Sequence, residues 1–252
     1  MDKVTLLKQR LNEIAANIER HPHGLGLLGL GSAGKEQERL DKYSDLDFFA
    51  IVEKGQKQRF LSELGWLTDA HEVAWYFKNT EDGYKLLYSD GVFCEFAIFE
   101  PEELGSIPYA QGEFIWRSAK LTTNFAIPQV PEPQALIDEN FLLGELLTNL
   151  YVGLSRYHRG EKSSAFRFIQ VYALDRLIAL LDLKHPTKRN VYRDNFCIDR
   201  RVEQRHPEYE ELLLSCMGGV QKTPDSALIM LDFIAKNYEI NQVLEWEIRQ
   251  LL

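Results

Sequence analysis

Gly29-Leu30-Gly31-Ser32-Ala33-Gly34, followed shortly by Tyr43-Ser44-Asp45-Leu46-Asp47-Phe48, decides how this chain is read. The first stretch closes an apolar run, Leu25 to Leu30, laced with glycines, which reads as a buried strand approached closely by another backbone or a ligand. Gly31-Ser32 directly after it makes a tight turn whose backbone N–H groups can cradle phosphate oxygens, with the Ser hydroxyl adding a bond. It is not a P-loop, because the Gly-Lys-Ser/Thr ending is missing. The second stretch opens another buried strand, Leu46 to Val52. Asp45 and Asp47 are two residues apart there, so strand alternation points both to one face. Two carboxylates so placed repel each other, and a divalent cation is the usual compensation. Mg²⁺ takes hard oxygen ligands and sits between one or two carboxylates and substrate phosphates.

Further along, Val92-Phe93-Cys94-Glu95-Phe96-Ala97-Ile98-Phe99 is an apolar strand with one charge, Glu95. If it neighbours the strand that Asp45 opens, three carboxylates converge. Two could hold metal while the third takes a proton from an attacking hydroxyl.

Working outward, Val4, Leu7, Leu11, Ile14, Ala15 and Ile18 recur at helical spacing and predict an amphipathic helix over 3–20. His21-Pro22-His23-Gly24 ends it. Residues 56–64 read as a short helix, and 73–77, 84–88 and 92–99 as strands, with Ser89-Asp90-Gly91 as a hairpin turn. Pro128, Pro131 and Pro133 then exclude regular structure and mark a boundary. The chain is therefore divided into a mixed α/β domain, 1–130, and a second domain, 131–252. Beyond the boundary 138–158, 163–182, 208–217 and 224–251 read as helices of an antiparallel bundle. The fold class expected is α+β, a mixed sheet domain followed by a helical bundle.

The chain has 252 residues and a formal net charge of −9, with −7 carried by residues 1–132. Ordinary globular composition excludes disorder, collagen and disulfide miniproteins. The acidic balance argues against a dedicated nucleic-acid binder. Lys184, Lys188, Arg189, Arg193, Arg200, Arg201 and Arg205 form a basic run that reads either as a solvated, ion-paired surface or as a patch reaching a phosphate. Cys94, Cys197 and Cys216 show no ligand spacing and fit reduced thiols in the cytoplasm. No apolar run approaches a membrane span, and no signal segment is visible at the N-terminus. Apolar stripes on the bundle would let two copies pair as a homodimer.

Gly31-Ser32, then Asp45-x-Asp47, then Glu95 on a later strand resembles the nucleotidyltransferase superfamily, the group of DNA polymerase beta. With the helical second half, including Tyr151 to Glu161 and the Phe166 to Leu181 helix, the likeness is to the antibiotic nucleotidyltransferases, lincosamide and aminoglycoside enzymes. The resemblance implies transfer of a nucleoside monophosphate from ATP to a hydroxyl of a small molecule, releasing pyrophosphate, with Mg²⁺ as cofactor. It implies Asp45, Asp47 and Glu95 as metal ligands and catalytic residues, Glu95 as the base, and Gly31 and Ser32 at the phosphates. Many members carry Arg after Gly-Ser, where this chain has Ala33 and Gly34. The positive charge must then come from Lys35, Arg39 or Lys42, and Lys42 is taken as the nucleotide-binding candidate. Tyr157, His158, Arg159 and Glu161 are candidates for the acceptor wall. Two other readings stay open: an enzyme that modifies a protein or RNA, as in toxin–antitoxin pairs, and a non-catalytic nucleotide-binding module.

Overall fold

Residues 1–134, 138–185 and 191–252 are described by the computed structural model. They form two compact units, 1–132 and 133–252. Among the described residues no helix is long and apolar enough to cross a membrane.

The first unit opens with α1 (Lys3–Arg20), started by the Asp2 carboxylate, which accepts from the Val4 and Thr5 amides. Its apolar stripe buries Leu7, Leu11, Ile14 and Ile18, each worth roughly 1.5–3 kcal/mol when fully covered. Six strands follow: β1 (Gly24–Gly29), β2 (Leu46–Val52), β3 (Val73–Lys78), β4 (Gly83–Tyr88), β5 (Phe93–Phe99) and β6 (Glu113–Arg117). They make one mixed sheet in the order β3-β4-β5-β2-β1-β6, parallel between β2 and β5 and antiparallel elsewhere. The sequence reading finds β1 to β5 and misses β6. That strand is five residues long, sits at an edge and buries none of its residues fully, so it lacks the strong apolar run that marks the others.

Alternation along β2 sorts the two faces. Leu46, Phe48, Ala50 and Val52 point to a core closed by α1 and by the short helices α2 (Lys57–Ser62) and α3 (Gly65–Thr68). The opposite face is only half covered. Its far half, including Phe49, Ile51, Ala97 and Phe99, lies under α4 (Pro101–Leu104) and the segment that supplies Tyr109, Leu121 and Phe125. Its near half, where β2 and β5 begin, carries the acidic residues.

The second unit is helical: α5 (Glu139–His158), α6 (Lys162–Arg167), α7 (Leu174–Lys184), α8 (Val202–Arg205), α9 (Glu210–Ser215), α10 (Thr223–Asn237) and α11 (Gln242–Gln250). Its core is a single cluster led by Leu142, Leu146, Leu150, Ile178, Met230 and Ile234. Two expected helices need correction. The one over 163–182 is α6 and α7 joined by a π-helical turn, Phe168–Ala173, where buried Gln170 exchanges two hydrogen bonds with the Gly219 backbone. The one over 224–251 breaks between Asn237 and Gln242, because Asn241 takes extended backbone and caps α11 through its side chain.

The basic run of this half is largely structural. Asp182, nearly buried, accepts from Arg193 Nε at 2.8 Å and Arg205 Nε at 3.2 Å, and lies 2.7 Å from His206 Nε2. Arg205 also donates to the Ile198 carbonyl, which pins the 191–201 segment to the bundle. Arg200 pairs with Asp194, Lys184 with Glu139, and Arg201 donates to the Tyr192 carbonyl. Lys188 and Arg189 lie outside the described residues.

Burial alone would push the Asp182 carboxyl up, but His206, Arg193 and Arg205 outweigh it and hold it below the usual carboxylate range. A depressed carboxylate pKa contributes stability that is present above the unfolded value and lost as pH falls through the folded one. Asp182→Ala leaves the fully buried Arg205 without its counter-ion, an effect on the order of 3–5 kcal/mol. Urea unfolding at neutral pH should show that loss. The difference should begin to shrink only below the ordinary carboxylate value of about 4, and variant and parent should converge only once pH has fallen through the depressed folded value.

Candidate active site

Two backbone features bring the site together. The Leu30 amide donates to the Asp47 carbonyl at 2.8 Å, which ties the end of β1 to the start of β2. The chain then turns through a 3₁₀ element, Gly31–Ala33, with Gly31 at φ +49, a conformation glycine adopts at little cost. The loop closes on itself so tightly that a Cβ at Gly29 would sit 2.2 Å from the Ala33 carbonyl oxygen, and one at Gly34 would sit 2.1 Å from that of Gly29. No side chain fits there, which is why this stretch is glycine-rich. The amides of Ala33, Gly34 and Glu36 donate within the loop, whereas those of Gly31 and Ser32 have no acceptor among the described residues.

Register places the carboxylates. Asp47 on β2 is the direct partner of Glu95 on β5, so the two stand side by side on the half-covered face. Asp45 precedes β2 by one residue, and alternation continued past the strand end would set it on the same face. The turn before it is capped by another residue: the Asp41 carboxylate accepts from the Tyr43 amide and the Ser44 hydroxyl. Behind the row, burial pushes the Cys94 thiol up from its ordinary value, and the Asp45 and Asp47 charges push it further.

The sequence reading expects Asp45, Asp47 and Glu95 to converge by the Gly31–Ser32 turn; the register pairs Asp47 with Glu95, and the Leu30–Asp47 backbone bond ties the turn to the start of β2. It misses two neighbours of Glu95. Lys85, the β4 partner of Glu95 across the sheet, pairs with its Oε2 at 3.0 Å. Asn79 donates to its Oε1 at 3.1 Å. A lone charge in the strand of Lys85 was visible in the sequence, but its partner depends on the β4–β5 register. Lys42 is exposed, with its ammonium 4.9 Å from the Tyr43 ring centre. The basic group held at the turn is Arg39. Its Nη2 would be 3.4 Å from a Cβ on Gly31, and its Nε is held by Glu36 at 2.7 Å. Lys35 donates to Gln111 instead.

The four candidates for an acceptor wall serve the α5–α6 turn. Arg159 pairs with Glu161, Lys162 lies over the Tyr157 ring, and His158 Nε2 is 2.7 Å from the Leu251 carbonyl.

No family model matches this chain, and no curated protein does. Among solved structures, an aminoglycoside 6-adenyltransferase from Bacillus subtilis aligns with it over 97% of each chain, at 12% identity and a TM-score of 0.38. No family follows from a likeness that weak. The residues and their geometry carry the functional reading.

Carboxylate oxygens are the donors a hard divalent ion takes. Asp47 and Glu95 stand on one face, with Asp45 one residue before β2, beside a turn whose Gly31 and Ser32 amides have no acceptor among the described residues. Among the described residues no three acidic, histidine or cysteine side chains converge as a ready cage. Mg²⁺ does not require one, since it is bound through one or two carboxylates together with substrate phosphates.

Proposed function

We propose that this protein is a nucleotidyltransferase that moves a nucleoside monophosphate, most readily from ATP, onto a hydroxyl of a small molecule and releases pyrophosphate. The observation that carries this reading is the pairing of Asp47 with Glu95 across parallel strands, with Asp45 just before the same strand and the glycine turn tied to Asp47. Asp45 and Asp47 would hold Mg²⁺, which when bound supplies neutralising charge for the phosphates.

The chain's own residues do the rest. Gly31 and Ser32 present amides to the triphosphate, and Arg39 brings a guanidinium to the same turn. Glu95 accepts the proton of the acceptor hydroxyl as that oxygen forms its bond to the α-phosphorus and pyrophosphate leaves. Lys85 and Asn79 hold the Glu95 carboxylate from two sides, so it is oriented before the acceptor arrives. Phosphoryl transfer asks mainly for positioning and for stabilisation of spread negative charge, and this arrangement offers both.

The test is pyrophosphate release from Mg-ATP against a panel of lincosamides, aminoglycosides and other hydroxyl compounds. The Asp45→Ala/Asp47→Ala double variant serves as the blank. Release with one acceptor class, absent in the blank, is expected. Equal release in the blank would overturn the reading.

A further inference from the structure

Beyond Glu95 the same face of the sheet continues to its edge at β3, whose residues are mostly exposed. Register extends the row of Asp47 and Glu95 through Lys85 on β4 to Phe77 on β3. The neighbouring row runs from Phe93 through Leu87 to Trp75. Trp75 and Phe77 therefore stand side by side, with ring centres 5.2 Å apart, and are 48% and 44% exposed. Phe77 is two strands from Glu95, or about 10 Å at ordinary strand spacing. An edge strand with two large rings open to water on one face is an unusual thing to leave bare.

We propose that Trp75, Phe77, Leu87 and Phe93 form a ledge for the unreactive part of the acceptor, and that this part is an uncharged aryl or alicyclic ring. This deepens the nucleotidyl-transfer reading and rests on it. The rings offer apolar faces for stacking. Charge selects against a polycation. The place beside Glu95 that an acceptor ammonium would take is held by Lys85 at 3.0 Å, and a second cation there meets like charge. Asp45 and Asp47 belong to the metal in this reading. The face therefore leaves its carboxylates to the reaction and its rings to recognition. An acceptor of about 10 Å that lays its ring on the ledge brings a hydroxyl to Glu95.

The test uses the full chain with Mg²⁺ and a non-hydrolysable ATP analogue. Saturation-transfer NMR follows two probe sets: uncharged aryl glycosides and aryl propanediols, and polycationic aminocyclitols. Aryl compounds should bind, with their ring protons most strongly saturated. Trp75→Ala and Phe77→Ala should each weaken them about tenfold while leaving analogue affinity within about twofold. Both residues are exposed, so circular dichroism should report an unchanged fold. The ledge is overturned if no aryl compound binds, if both variants bind as the parent does, or if aminocyclitols bind as tightly. The two readings fail separately. Aryl binding that needs Trp75 but yields no pyrophosphate keeps the ledge and rejects transfer. Pyrophosphate release with aminocyclitols alone keeps transfer and rejects the ledge.

Discussion

Asp47→Ala should abolish nucleotidyl transfer, with pyrophosphate release falling about 10³-fold or more. Asp47 stands between Asp45, one residue before its strand, and Glu95, its partner on the next strand. In the proposed reading its side chain would hold Mg²⁺ next to the turn that its own backbone carbonyl anchors through Leu30. The substitution removes a ligand without disturbing that anchor, because the anchor is main chain. Circular dichroism and the melting temperature should therefore stay close to those of the parent, while the affinity for Mg-ATP drops. Titration calorimetry with Mg-ATP separates the two effects. Unchanged nucleotide affinity together with unchanged turnover would remove Asp47 from the site.

Glu95→Gln should behave differently. The amide keeps the shape of the side chain and can still take a hydrogen bond, but it cannot accept a proton. Nucleotide affinity should change by no more than about threefold while transfer falls about 10²–10⁴-fold, the usual span for loss of a positioned base. The split between binding and turnover is what marks Glu95 as the base. A variant that loses nucleotide binding to the same extent would place Glu95 among the metal ligands only. Lys85 complicates the substitution in a useful way, because it loses its carboxylate partner on the exposed face. An exposed pair of this kind contributes about 0–1 kcal/mol to stability, so the Glu95→Gln protein should remain folded and the comparison should hold.

The fate of the basic run shows why linear sequence misleads about charge. Arg193, Arg200, Arg201 and Arg205 look like a patch because they are close along the chain. In the fold Arg193 and Arg205 converge on one carboxylate, Asp182, which lies on a helix well before them. Burying a guanidinium without a partner is too costly, so long-range acidic residues decide what such a run does.

Much of this protein was written into its sequence. Apolar runs predicted β2 and β5. Helical spacing predicted α1 and α5, and the prolines after Ile127 marked where the pattern changes. The same local rules set Asp45 and Asp47 on one face and required glycine at the turn, since alternation and backbone strain depend on neighbours within a few residues. Tertiary structure alone decided the rest. It paired Asp47 with Glu95, gave Glu95 to Lys85 and Asn79, brought Arg39 to Gly31, and lined Trp75 and Phe77 up with the carboxylates. Each of these depends on which strand lies beside which and in what register. That choice is made by the cores on the two faces of the sheet, through contacts between residues far apart in the chain, and no local pattern encodes it.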